Sequence, residues 1–376
     1  MRLGFALEYS LGHVTHAENL KRVLDRDGTV RPTYVDLPFH QTPGWWSRLP
    51  AVRSNWSLRA SLGAYLALRG RAGSLDGLLF HTQVTSLFSA GLMRKVPSVV
   101  SLDATPLQID TLGRYYGHRP SANRRVEELK RRLNRRSFHA AQHLIAWSQW
   151  AKDSLVSEYG VAPEKVTVIP PGIDTARWSF PARAAGREQE LQILFVGGDF
   201  LRKGGDTLLR AFRQLPRSVR AHLHLVTMTE GVADGVPGVT VHSGLKPNSE
   251  ALLRLYAQAD LFVFPTRADC LPLAVMEALA AGLPVITTQV AALSEAVTHG
   301  QTGWVVPPED ANALAQAITA LAEDPVQRAR FGVAARDAAL ERFDAGINYG
   351  RLVDVLKQVG GRESTAARTL AYSAPF

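Results

Sequence analysis

Twice along this chain, short apolar runs alternate with amphipathic stretches, and no other property limits its fold so tightly. A strand inside a parallel sheet is buried on both faces and reads as an unbroken apolar run. Each parallel neighbour then needs a crossover, usually a helix. The alternation therefore predicts βαβ units and the α/β class. In the first series the runs at 3–7, 78–80, 98–101, 143–146 and 166–169 read as strands, with helices over 17–24, 58–68 and 124–139. Pro170-Pro171-Gly172-Ile173-Asp174 breaks regular structure, and the aperiodic polar stretch 183–189 reads as a linker. The second series places strands at 193–196, 222–226, 239–242, 261–264 and 284–287, and helices at 207–215, 250–258, 273–281 and 311–322. The expected organisation is one domain over 1–180 and another over 190–345. A helix over 346–360 then packs back on the first domain, and 361–376 forms a flexible tail. A length of 376 residues suits two cores better than one.

Composition narrows the setting. A single cysteine, Cys270, excludes an internal disulfide framework and fits a reducing compartment. The apolar start from Met1 to Leu7 soon meets Glu8, too early for a secretory leader. No run approaches the roughly 18 apolar residues of a membrane span. A cytoplasmic location is the expectation. Charge is uneven: residues 1–180 hold 24 Lys and Arg against 14 Asp and Glu, whereas 181–376 hold 19 against 20. That split points either to an anionic partner for the first half or to a generic solubilising surface. Nucleic acid, membrane phospholipid and a phosphorylated substrate all qualify as partners.

Residues 265–282 carry the sharpest signal. They read Pro-Thr-Arg-Ala-Asp-Cys-Leu-Pro-Leu-Ala-Val-Met-Glu-Ala-Leu-Ala-Ala-Gly. Pro272 suits a first helical position and Gly282 a C-terminal cap. The helix between them is apolar except for Glu277, so this carboxylate is expected to be buried and to need a partner. A protein donor or a ligand hydroxyl pair would serve. The strand–loop–helix order sets free N–H groups and the positive helix end at the carboxyl edge of a parallel sheet, where diphosphates bind. Asp269 on the loop and Glu277 in the helix could then grip opposite ends of one extended ligand.

The segment resembles the acidic pair, spaced by seven residues, of the retaining glycosyltransferases of family 4. Asp269 stands where that family more usually carries Glu, and Glu277-Ala278-Leu279-Ala280 follows in register. The resemblance continues through Gly282-Leu283-Pro284-Val285-Ile286, Glu295, Gly300, Gly303 and Asp310. It covers 195–212 and, more weakly, 161–178, and so most of 143–345; the first half matches in outline. The resemblance implies a GT-B fold, with two doubly wound Rossmann-like domains facing across a cleft. It also implies that Glu277 holds ribose hydroxyls, that Asp269 contacts the donor sugar, and that N–H groups around Cys270, Leu271 and Leu273 meet the sugar and diphosphate.

The loop after the first strand of the second half reads Gly197-Gly198-Asp199-Phe200-Leu201-Arg202-Lys203-Gly204. Glycine lets backbone approach a ligand closely, and Lys203 supplies charge for a leaving diphosphate. The loop is similar to the family's phosphate loop, with Lys203-Gly204 aligned. Gly198 occupies the position of the usual Arg, a role that Arg202 could take from nearby. A solvated turn is the other reading of these charges. The loop is neither a P-loop nor a dinucleotide fingerprint.

In the first half, Gly12 resembles the small residue that lets this loop approach the donor. His13 or His16 could bind the sugar acceptor or a phosphate, or serve as core or capping histidines. His81 and Asp103 each follow a predicted strand and are further acceptor-side candidates, Asp103 alternatively closing an Asx turn. The helix at 124–136 carries Arg124, Arg125, Lys130, Arg131, Arg132, Arg135 and Arg136, interleaved with Val126, Leu129 and Leu133. It reads as a surface helix or as one that lies on anionic lipid on the inner membrane face, with Trp45, Trp46 and Trp56 at the interface. No nucleic-acid module accompanies the charge.

The resemblance implies a retaining transferase that uses a UDP- or GDP-sugar as co-substrate. No cofactor is expected, and no metal, since no His/Cys cluster or paired Asp motif occurs. A nucleotide-sugar epimerase on the same fold and a non-catalytic nucleotide-sugar-binding protein are the alternatives. A phosphorylase would need a lysine for pyridoxal phosphate, and no convincing one is present.

Overall fold

Both apolar series close into parallel sheets. The computed structural model describes residues 1–10, 12–39, 52, 55–117, 120–181 and 190–361. Six strands form the first sheet: β1 (Arg2–Tyr9), β2 (Arg31–Pro38), β3 (Gly77–His81), β4 (Ser98–Leu102), β5 (His143–Ala146) and β6 (Val166–Val168), in the order β2-β1-β3-β4-β5-β6. Six more form the second: β7 (Leu191–Val196), β8 (Ala221–Val226), β9 (Val239–His242), β10 (Leu261–Phe264), β11 (Val285–Thr288) and β12 (Gly303–Val306), in the order β12-β11-β10-β7-β8-β9. All pairings are parallel, so each connection is a crossover.

The strand order reverses between β1 and β3 in one sheet and between β7 and β10 in the other. Ligands of open α/β sheets bind at such switch points, beyond the carboxyl ends of the strands. Here the two carboxyl edges face each other: a Cβ on Gly12, beside β1, would lie 4.0 Å from Leu273 Cδ1, beyond β10.

Two strands escape the sequence pattern, Arg31–Pro38 and Gly303–Val306. Both are sheet edges; Arg31–Pro38 interleaves polar residues, and Gly303–Val306 is a four-residue run that opens on glycine. The helices Gln149–Ser157 and Pro325–Arg342 were likewise unread; Ser148 and Asp324 cap them, with Pro325 at the first turn of the latter. Pro272 needs correction: it is the N-cap of the helix Leu273–Ala280, with extended backbone, and not its first turn. Gly282 follows the end of that helix at φ +68°, the left-handed conformation that a helix stop favours. The proposed linker at 183–189, Trp45 and Trp46, and the tail beyond Gly361 lie outside the described residues.

The first sheet packs one face on Phe80, Phe138 and Tyr159 and the other on Phe5, Leu79 and the helix Ala345–Gly360. That helix buries Tyr349, Leu352, Val353 and Leu356 against the first sheet, although it follows the second in sequence. Each such side chain contributes about 1.5–3 kcal/mol. The chain therefore crosses between the halves twice. The crossings are stitched together: Ile173 N–H donates to Phe343 O at 2.7 Å, and Ala345 N–H to Ile173 O at 2.9 Å. Gly172 permits this approach, since a Cβ there would fall 2.4 Å from Ala345 Cα. No helix among the described residues is long and apolar enough to cross a membrane.

Candidate active site

Lys203 reaches the cleft because the loop after β7 folds tightly onto the loop after β10. Gly204 takes φ +77° as N-cap of the helix Gly205–Arg213, and a Cβ there would overlap the Pro265 carbonyl at 1.9 Å. A Cβ on Gly197 would press within 2.9 Å of Lys203 Cβ. Arg267 bolts the second loop down, with both terminal nitrogens 2.7 Å from the Asp206 carboxylate and Nε 2.9 Å from Glu309.

Within this frame Lys203 Nζ pairs directly with Asp269 Oδ2, and the two side chains are only 15% and 13% exposed. Burial and the Arg202 guanidinium pull the Lys203 pKa down, and Cys270 and Asp199 oppose that shift. Arg202 is itself buried: it donates to Asp199 Oδ2 at 3.2 Å and Ala268 O at 2.9 Å, and lies 3.8 Å from Asp269. Its guanidinium stacks 4.5 Å over the Tyr116 ring, which belongs to the first half. Arg202 thus adds charge beside Lys203 while its own donors are largely engaged by protein.

Glu277 lies in the second turn of Leu273–Ala280 and is 5% exposed. Its hydrogen-bond partner among the described residues is the Tyr256 hydroxyl, which donates to Oε2 at 3.2 Å. Burial outweighs this bond and pushes the carboxyl up to about 7. Cys270, Leu271 and Leu273 are buried between the two acids, where the helix start leaves its first N–H groups without intrahelical acceptors.

Across the cleft, Asp103 follows β4 and shares a hydrogen bond with the Cys270 thiol. Burial raises the Asp103 carboxyl, and Glu8 adds to this; His13 opposes it from 3.8 Å. His13 Nδ1 is 3.1 Å from His81 Nε2. His81 Nδ1 is buried without a partner, so the His81 proton belongs on Nε2, donating to His13. His13 then carries its own proton on Nε2, toward Asp103. His13 and Asp103 are 16% and 18% exposed, and both line the cleft.

The other two histidines need correction as acceptor-side groups. His81 is 0% exposed, stacked on Trp147 at 5.4 Å, and burial holds its pKa well below normal. His16 is 1% exposed against Tyr349 and Trp147, and burial lowers it to about 3. Both support His13 from beneath, because the helix His13–Leu24 turns His16 inward.

Several groups escaped the sequence reading. Tyr256 and Tyr116 sit in amphipathic segments and carry no separate signal. Glu8, a carboxylate closing an apolar strand, was visible; it accepts from Thr82 Oγ1 at 2.6 Å, Ser10 Oγ at 2.5 Å and Trp56 Nε1 at 3.3 Å. Glu295 bridges the halves, accepting from the N–H groups of Gln149 at 2.7 Å and Trp150 at 2.8 Å.

Known proteins share this fold. Residues 190–324 match the family model described as glycosyl transferases group 1, and residues 12–177 match glycosyltransferase family 4. Glycogen synthase of Mycobacterium tuberculosis is 32% identical over 66% of this chain and 60% of its own length. D-inositol 3-phosphate glycosyltransferase of Pseudarthrobacter chlorophenolicus is 30% identical over 56% of this chain and 54% of its own. The chain thus spans little more than half the length of these relatives. Sucrose-phosphate synthase from Thermosynechococcus elongatus superposes with a TM-score of 0.77 at 18% identity, covering 96% of this chain and 99% of that one. HepE of Anabaena, solved in complex with UDP and glucose, superposes with a TM-score of 0.68 at 17% identity, covering 95% and 100%. With both halves matched, the chain belongs to the group 1 glycosyltransferases of family 4 and has the GT-B fold.

Proposed function

We propose that this protein transfers a sugar from a nucleotide-diphosphate sugar, UDP- or GDP-linked, to an acceptor hydroxyl with retention of anomeric configuration. The observation that carries this reading is the placement of Lys203 and Arg202 around Asp269 at one switch point, directly across the cleft from His13 and Asp103 at the other. Breaking a sugar–phosphate bond builds negative charge on the leaving diphosphate. Lys203 and the N–H groups at the start of Leu273–Ala280 supply fixed positive charge at that point. Glu277 accepts hydrogen bonds from the ribose, and Asp269 turns from Lys203 to the donor sugar.

No cofactor or metal enters this scheme, so turnover in excess chelator should match turnover without it. The decisive experiment is a thermal-shift screen of nucleoside diphosphates and their sugars, followed by product analysis with the best donor. Retention is read from the product anomer by NMR. Epimerised donor in the absence of any sugar acceptor would favour an epimerase, and binding without turnover would favour a carrier.

The exposed face of the helix Arg124–Ala140 suits peripheral contact with an anionic membrane. Leu129 is 56% exposed and Val126 39%, among Arg124, Arg125, Arg131, Arg132, Arg135 and Arg136, also exposed. Each basic residue near such a surface contributes about 1 kcal/mol.

A further inference from the structure

We propose that the sugar acceptor is a neutral polyhydroxyl compound, a sugar or polyol, and that a phosphate group on it is disfavoured at the first-sheet wall of the cleft. This rests on the transferase reading above and names its acceptor class.

The first half carries most of the chain's positive charge, and a basic domain invites a phosphorylated acceptor. The structure turns part of that charge away from the cleft. In the helix Arg124–Ala140, Arg131 donates to Glu158 O at 3.0 Å, in the turn that leads toward the start of β6. This is the amino edge of the sheet, opposite the cleft. Lys165, in the same turn region, donates to His139 O at 2.9 Å.

The wall of the cleft has the opposite character. Among the described residues, the carboxylates at the carboxyl ends of β1 and β4 are Glu8 and Asp103. The Glu8 partners are all neutral: Thr82, Ser10 and Trp56. Asp103 is met by the Cys270 thiol and by His13. Among the described residues, three basic side chains nearby face other groups, Arg114 lying 3.9 Å from Glu309 of the second half. Lys21 is closed onto Asp36 at 2.6 Å, and Arg59 lies over the Trp56 ring at 5.3 Å and donates to Phe39 O at 2.9 Å.

Hydrogen-bond inventory points the same way. Asp103 offers lone pairs, Glu8 keeps one beyond its three hydrogen bonds, and Gln83 Oε1 is buried with no partner. A wall of lone pairs needs a ligand that brings O–H donors. Sugar hydroxyls bring them, and a phosphate dianion brings none. A phosphate here would also meet like charge in a partly desolvated cleft.

The test uses the full chain with the donor found by thermal shift. Release of nucleoside diphosphate is followed with matched acceptor pairs, glucose against glucose 6-phosphate and glycerol against glycerol 3-phosphate. The neutral member of each pair should be favoured by about tenfold or more in kcat/KM, and Glu8→Gln and Asp103→Asn should each narrow that ratio. Equal or reversed preference in the wild type, or a preference that neither variant moves, overturns the inference. If Glu8→Gln does not fold, Asp103→Asn carries the comparison. Absence of donor turnover under every condition would instead remove the transferase reading. Donor hydrolysis with a preference for the phosphorylated partner would remove only the acceptor class.

Discussion

The two sheet edges that face each other are built in opposite ways. The second-sheet edge draws its cations and acids from two continuous segments, the loop after β7 and the loop and helix after β10. Lys203, Arg202 and Asp269 meet there in one charged knot. The first-sheet edge takes Glu8, His13, His81, Asp103 and Trp147 from separate strand ends and holds them mostly through neutral partners. On the reading proposed above, one edge neutralises phosphate and the other hydrogen-bonds hydroxyls. The lesson is that a strong charge in a domain says little about its cleft until each basic residue is placed.

The largest expected effect would break this contrast at its charged side. Lys203→Ala should lower turnover by about 10²–10³ while the far-ultraviolet circular dichroism stays unchanged. Turnover within a few-fold of wild type would mean that the second edge does not hold the leaving group.

Next comes Glu277. Its carboxyl keeps a proton in the fold to about 7, well above its ordinary 4.5. The ionised form is the better acceptor for ribose hydroxyls, so affinity for the nucleotide sugar should rise about tenfold from pH 6 to pH 8. Glu277→Gln should flatten that profile in titration calorimetry. The sign for stability is opposite. Between about 4.5 and 7 the folded chain binds more protons at this site than the unfolded chain, so Glu277 destabilises the fold increasingly as pH rises. Glu277→Gln should therefore gain stability relative to wild type at pH 8 compared with pH 4.

A smaller effect sharpens the placement of the basic surface. Arg136→Gln should weaken binding to phosphatidylserine vesicles in sedimentation by roughly fivefold, while turnover on a soluble sugar acceptor stays level. Equal binding to neutral vesicles would remove the membrane role.

The smallest is Asp269→Asn. Asp269 holds Lys203 in the free protein, a carboxylate standing where phosphate is proposed to bind. Without it a bare nucleoside diphosphate should bind about two- to fivefold tighter, even as sugar transfer falls. Weaker diphosphate binding would show that Asp269 supports the site and does not compete for it.

Much of this was legible in the sequence, for identifiable reasons. The strands His143–Ala146, Val239–His242 and Leu261–Phe264 were read with their observed bounds, because short apolar runs between turn signals are unambiguous. The edge strand Arg31–Pro38 was not, because polar residues interrupt its apolar ones, and Gly303–Val306 was not, because its short run opens on glycine straight after a turn. The second-sheet edge was legible because its residues are close in sequence. On the first, only proximity in space separates His13 from His16, and nothing in the chain announces that one faces the cleft and the other the core.

The return of the last helix to the first sheet has a consequence for how these halves can be used. Neither is a removable module. A fragment ending near residue 181 would leave a greasy stripe of β3 and β4 bare where Tyr349, Leu352 and Leu356 belong. The matching remnant would carry an orphaned amphipathic tail. Any swap of donor specificity between relatives by exchanging halves therefore has to carry the terminal helix with the half it covers, and not with the half it follows.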